Sequence, residues 1–287
     1  MSRLFLVLIG CLGFLLSKAG VVEEKLYINQ GLFAMVDTTT MPSYAYNTTP
    51  TFNQQNSRII LSIGDTLKLT IVNTDSNEHG IDIKGVLGIS STIGPADSVL
   101  VESYFGEAGT FIYYDPLLEE DYRYMGLGGM IVVLNPNSSA QNFYWNLKEH
   151  QPSYNDDIYN GLAADWSAYY PTYFTLNGNS NPHINDDESA RVVGNVGDTL
   201  HVYMVNTGSS IHSIHYHGYH AEIIESTKFP SHVGRNKDTF AIYSMEIVVV
   251  ELVPFQTGEY PVHDHNLVAV SGGNVYPNGM FLTIRIE

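Results

Sequence analysis

Cysteine is almost absent from this chain. The single one, Cys11, lies within an N-terminal apolar run, residues 4–16. One thiol cannot form an intrachain disulfide, and a chain processed beyond that run would have no thiolate to offer a metal. Positive charge is scarce too: 13 lysines and arginines stand against 30 aspartates and glutamates, a formal net charge of −17. Setting aside Arg3 and Lys18 leaves 11 against 30, or −19. Such a surface repels nucleic acid and anionic membranes, which excludes both as partners, and it attracts cations. Beyond the N-terminal segment no apolar run is long enough to cross a bilayer. Sustained helical periodicity is missing as well, and only residues 117–124 and 156–168 are candidates for short helices.

What is present begins with a leader-like segment. Met1-Ser2-Arg3, the apolar run and Ser17-Lys18-Ala19 place small residues where a signal peptidase reads, so residues 1–19 are expected to be a signal peptide. The protein is then exported, periplasmic or extracellular, and free of the membrane after cleavage. Leu8-Ile9-Gly10-Cys11 also fits a lipoprotein box, whose use would lipidate Cys11. The remainder is rich in Tyr, Val, Ile, Thr and Gly, in short runs bounded by turn residues, which predicts an all-β fold. Gly64-Asp65-Thr66-Leu67 followed by Val72-Asn73-Thr74 recurs, 133 residues on, as Gly197-Asp198-Thr199-Leu200 followed by Val205-Asn206-Thr207. This repeat predicts two homologous domains, residues 22–136 and 142–287, joined near the polar stretch 135–139.

Six of the eleven histidines fall in two short windows, His212, His215, His217 and His220 in one and His263 and His265 in the other. Successive residues of a strand alternate faces, so His215 with His217, and His263 with His265, each project to one side. Two such strands side by side converge four imidazoles, the commonest transition-metal ligand at neutral pH. The plainer alternative is that they are half-buried hydrogen-bonding groups. His150, His183, His201 and His232 are isolated and have that plainer reading, with His201 expected half-buried on a strand. The repeat sets His79 opposite His212, Asp82 opposite His215 and Lys84 opposite His217, and Tyr114-Asp115-Pro116 opposite His263-Asp264-His265.

These motifs resemble the two-domain members of the multicopper oxidase and copper nitrite reductase superfamily. His212-x-x-His215-x-His217-Gly218 is similar to the His-Pro-x-His-x-His-Gly of the oxidases, and His263-Asp264-His265 to their His-Cys-His. His79-x-x-Asp82-x-Lys84 is similar to the His-x-x-Asp-x-His of the reductases. The resemblance implies two tandem cupredoxin-like Greek-key β-sandwiches in an all-β chain. It implies copper, with zinc as an alternative, on His215, His217, His263 and His265. It also implies Asp82 and His217 as a catalytic acid pair, a small-molecule substrate if the protein is an enzyme, and a homotrimer whose site is shared between subunits.

Departures from the pattern limit the chemistry. Both type 1 copper cysteines are replaced by aspartate, at 115 and 264, and the second histidine positions fall on Tyr122 and Ala269, with Leu127 and Met280 as the axial residues. Without a thiolate neither is a blue-copper site, and a hydrogen bond is expected instead between His79 and Asp115 and between His212 and Asp264. The first domain offers Asp82, Lys84, Tyr114 and Pro116 where a three-copper cluster needs imidazoles, and the Lys84 ammonium would repel a cation. Three functions are compatible with this: an exported metal-binding protein, a divergent copper oxidoreductase with a mononuclear interdomain site, and a metal-free binding scaffold. The tyrosine-rich stretch 154–173 is a candidate cap for the site or a subunit contact.

Overall fold

The structure is a computed structural model and describes residues 20–287. The expected signal peptide and Cys11 lie outside the described residues. Among these, no helix is long and apolar enough to cross a membrane.

Four sheets form two β-sandwiches. In the first, Thr40–Asn47, Val21–Ala34, Asp65–Asn73 and Ser98–Phe105 make one sheet, and Ile59–Ser62, Gly128–Leu134, Gly109–Tyr114, His79–Ile83 and Ser91–Ile93 make the other. In the second, one sheet runs Tyr173–Leu176, Gln141–His150, Leu200–Asn206, Ile247–Leu252, Ala221–Ser226 and Asn236–Lys237. Its companion runs Val193–Gly194, Phe281–Ile286, Gly258–Asp264, His212–Tyr216 and Thr239–Ile242. The repeat seen in sequence is a repeat of topology. In each sandwich the first long strand pairs in parallel with the strand of the Gly-Asp-Thr-Leu motif. The strand leading the other sheet likewise pairs in parallel with that sandwich's last strand.

Period-two patterning explains why these segments are strands. Asp65–Asn73 reads DTLKLTIVN and buries every second residue. Leu67, Leu69 and Ile71 thereby enter the first core, each stabilised by about 1.5–3 kcal/mol relative to exposure. Ile214, Tyr216 and Val262 do the same for the second core. Their neighbours His215, His217 and His263 are thereby sent to the opposite, outer face.

The two sandwiches pack on each other through Ile112, Met130 and Val132 on one side and Tyr144, Val205, Ile247 and Val249 on the other. Buried Arg123, from the short helix Glu119–Tyr124, reaches across and donates to the carbonyls of Thr207 and Gly208 at 2.8 and 2.7 Å. Lys148 Nζ answers by donating to the Arg123 carbonyl at 2.5 Å. The second helix differs from expectation: it spans Pro152–Tyr159, and only a single 3-10 turn, Trp166–Ala168, follows. Proline presets the first helical turn, and Gly161, at φ +72°, takes the left-handed conformation just past the end. This tyrosine-rich stretch lies against the first sandwich, where Trp166 and Tyr169 meet Tyr124 at 5.0 and 5.4 Å between ring centroids.

Candidate metal centre

His212–Tyr216 and Gly258–Asp264 are antiparallel neighbours, with His215 directly opposite His263. The four imidazoles do converge. His215 lies 4.8 Å from His217, 5.6 Å from His263 and 5.4 Å from His265 between ring centroids, and His217 lies 5.1 Å from His263. His215 and His263 are half-buried, while His217 and His265 are exposed at the rim. Gly218 is required where it stands: its φ is +76°, and a Cβ there would sit 2.5 Å from the Tyr260 ring.

The environment of the rings decides which nitrogens face inward. His215 Nδ1 lies 2.9 Å from Thr239 Oγ1 and 3.2 Å from the Asp238 carbonyl, and His263 Nδ1–H donates to the Asp264 carbonyl at 2.8 Å. With Nδ1 carrying the proton, Nε2 is left with its lone pair, as a metal-ligating histidine requires. His217 Nε2 and His263 Nε2 stand 3.0 Å apart. Two nitrogens bound to one ion at about 2.0–2.1 Å are separated by about 3 Å, so this pair fits a shared metal. Burial and the neighbouring His215, His263 and His265 lower the His217 pKa, favouring the neutral ring. Among the described residues, no group of three His, Cys, Asp or Glu side chains already surrounds one point closely enough to hold an ion. The donor set fits copper, and closing it on an ion requires rings of the cluster to turn or a neighbouring molecule to contribute. His220 makes no ring contact with the four.

Behind the cluster, the expected His–Asp pairs are present in both sandwiches. His79 Nδ1–H donates to Asp115 at 2.8 Å, and His212 Nδ1–H donates to Asp264 at 2.7 Å, all four side chains being buried. Each imidazole is also held at its other nitrogen by a second carboxylate that the sequence reading did not identify. His79 Nε2–H donates to Asp75 at 3.1 Å, and His212 Nε2–H donates to Glu149 at 3.1 Å. An imidazole donating from both nitrogens is an imidazolium. Its two carboxylates outweigh the penalty of burial and raise the His79 pKa, and raise that of His212 to about 9. Reciprocally, the histidine partner and main-chain N–H donors hold Asp75 and Glu149 down at about 2 against burial.

The second carboxylates come from inequivalent places. The 133-residue offset sets Asp75 opposite Gly208, and a Cβ at Gly208 would sit 2.0 Å from Glu149 Oε2. Glycine there vacates the space that Glu149 fills from another strand, and that break in the repeat was the available sequence signal. Tyr122 tilts over His79 at 4.5 Å, while Ala269 and Met280 are buried in the second core.

Asp82, Lys84 and Tyr114 are not brought to the histidines of their own chain. Asp82 lies opposite Tyr114 and accepts its hydroxyl hydrogen bond at 3.1 Å, in the register held by His215 and His263 in the second sandwich. Lys84 Nζ donates to the Met245 carbonyl at 2.5 Å and so ties the two sandwiches together. The imidazoles project from the sheet of the second sandwich that faces away from the first.

Residues 159–277 match the family model for multicopper oxidases. That match falls within the second sandwich. Across both sandwiches this multicopper oxidase-like chain has the fold of a blue copper oxidase from Nitrosomonas europaea, with a TM-score of 0.78, 21% identity, and 93% of this chain and 86% of that one covered. It likewise has the fold of a copper nitrite reductase from Nitrosomonas europaea (TM-score 0.72, 16% identity, coverage 93% and 94%). A laccase from Botrytis aclada, of which 53% is covered, matches 93% of this chain with a TM-score of 0.71 and 14% identity. No curated protein matches the chain in sequence.

Proposed function

We propose that this is an exported copper-binding protein, built on the multicopper oxidase fold, that holds copper on His215, His217, His263 and His265 and has no type 1 electron-transfer copper. The observation that supports it is the convergence of four imidazoles on one outer face, with His217 and His263 at ligand separation and the Nδ1 atoms of His215 and His263 occupied by oxygen atoms. Bound copper would supply Lewis acidity and a one-electron couple at this face. The chain's own residues supply the rest. His215 and His263 present Nε2 lone pairs, His217 Nε2 already stands 3.0 Å from His263 Nε2, and His265, at the rim, can turn to complete the set. The acidic surface raises the local concentration of cations. At the two positions where the superfamily places a type 1 copper, a buried imidazolium between two carboxylates already supplies the positive charge.

Equilibrium dialysis against Cu(II), with metal analysis, tests the proposal. Wild-type protein should retain copper, and replacing both His217 and His265 by Ala should abolish retention. Zinc in its place would reassign the metal, and no retention of either would leave a binding scaffold. Copper-loaded protein should also lack an intense band in the orange-red, because thiolate-to-copper charge transfer needs a thiolate. A strong band there would refute the absence of a type 1 centre.

A second reading, a divergent oxidoreductase with a shared site, draws on the Asp82–Tyr114 hydrogen bond. It puts an acid–base pair in the register that ligands occupy in the other sandwich. Asp82 and His217 act together in this reading only across a subunit boundary of a homotrimer, on a small-molecule substrate.

A further inference from the structure

We propose that Asp264 is a positioning residue that sets the histidine cluster's geometry through main-chain contacts; the proposal rests on the metal-binding reading above. Asp264 lies between His263 and His265 and is fully buried, so water cannot substitute for its partners. Its Oδ1 accepts from the main-chain N–H of Ser213 at 3.0 Å and of Asn266 at 2.9 Å, while Oδ2 takes the His212 proton. Its carbonyl accepts His263 Nδ1–H, and the His265 N–H donates to the Ser213 carbonyl at 2.7 Å. One carboxylate therefore fastens the strand bearing His215 and His217 to the turn bearing His265. The same residue's carbonyl fixes the tautomer of His263.

The first sandwich supplies an internal control. Asp115 is equally buried, takes the His79 proton and accepts from the Leu117 N–H at 2.8 Å. Its chain neighbours, however, are Tyr114 and Pro116, so the same device there positions no imidazole. Loss of either aspartate unsettles a buried histidine, but only loss of Asp264 disturbs a cluster.

Substitutions separate the roles. Asp264→Ala leaves two main-chain N–H groups without an acceptor. Asp264→Asn can keep both on its amide oxygen, and its NH2 can donate to His212 Nδ1 once the His212 proton sits on Nε2, facing Glu149. Outer-shell partners of metal-ligating histidines typically change affinity about 10- to 100-fold. Cu(II) and Zn(II) binding should weaken by at least about tenfold in Asp264→Ala, and stay within about threefold of wild type in Asp264→Asn and Asp115→Ala. Imidazole 15N spectra of metal-free protein should show His263 as one Nδ1–H tautomer in wild type and Asp264→Asn, and as a mixture in Asp264→Ala, where no carboxylate contacts to Ser213 and Asn266 hold the 264 peptide and its carbonyl in place against His263. If Asp264→Ala does not fold, Asp264→Ser takes its place. Equal weakening by Asp264→Asn and Asp264→Ala would overturn the proposal, as would equal weakening by Asp115→Ala. If wild type retains neither metal, the binding reading fails by itself, and an unchanged His263 tautomer in Asp264→Ala would then overturn the positioning role.

Discussion

At the scale of the residue, the molecule's most unusual groups are two buried imidazolium ions, each between two carboxylates. A carboxylate held below its unfolded pKa contributes stability that is complete above the unfolded value and is lost as pH falls through the folded one. Glu149 therefore contributes above about pH 4.5 and loses its share as pH falls toward about 2, and Asp75 does so below about 3.8. His150, whose pKa burial and the neighbouring Lys148 lower to about 3, acts in the same direction, because the unfolded chain takes up its proton first. Stability should therefore fall steadily between pH 6.5 and 3, measured by urea denaturation, and less steeply in Glu149→Gln. A flat profile would refute the assignment. His212, held charged to about 9, loses its contribution as pH rises from 6.5 through 9, a term on the order of 3 kcal/mol at about 1.4 kcal/mol per unit. Lys148, lowered to about 7 by burial and Arg123, works oppositely, since the unfolded state holds its proton up to about 10.5. These two offset each other on the alkaline side, so His212 is followed by NMR: its ring should stay protonated to about pH 9 and lose its proton below pH 7 in Glu149→Gln.

At the scale of the element, the sandwiches are joined by a few polar contacts around an apolar patch, and within the first sandwich Gly126 makes one of the tightest backbone approaches. Its φ is +135°, and a Cβ there would lie 2.0 Å from the Tyr44 carbonyl oxygen. Gly126→Ala should destabilise by more than about 3 kcal/mol, through both strain and a forced displacement of the strand Thr40–Asn47. Arg123→Met, removing the donor to Thr207 and Gly208, should cost about 2–4 kcal/mol, because two buried carbonyls lose a charged partner. Thermal unfolding of both variants checks these values, and a shift of under a degree in either would contradict its role. Elements whose reasons are local were legible in the sequence: the strands through their alternation, the repeat through Gly-Asp-Thr-Leu, and the convergence of His215, His217, His263 and His265 through period two. The His79–Asp115 and His212–Asp264 pairs were legible because the repeat shows the same exchange twice. Glu149 was not, since it reaches His212 from 63 residues away on another strand, and the break in the repeat at Gly208 marks only that Asp75 has no counterpart there. The tie from Lys84 to Met245 was not legible for the same reason, its partner being 161 residues distant.

At the scale of the whole molecule, the arrangement of the sheets separates the two halves of any shared site. The imidazoles leave the second sandwich on the sheet facing away from the first, while Asp82 and Tyr114 share their face with Ile112, which packs between the sandwiches. Bringing His217 to Asp82 therefore requires a second chain, placed with its first sandwich over the exposed rim of His217 and His265. A homotrimer of this kind closes each rim with a neighbour and leaves no site half-built at an end. The scarcity of cysteine makes the expectation straightforward to test. In protein starting after Ala19, Asp82→Cys and His217→Cys together introduce the only two thiols. A short bis-maleimide should then link chains into covalent dimers and trimers, and sedimentation of uncrosslinked wild type should give the mass of three chains. Either single variant should give no trimers, because one thiol per chain can join chains only in pairs. A monomeric mass, with crosslinks absent or confined within one chain, would end the shared-site reading and leave the four histidines to bind metal on their own.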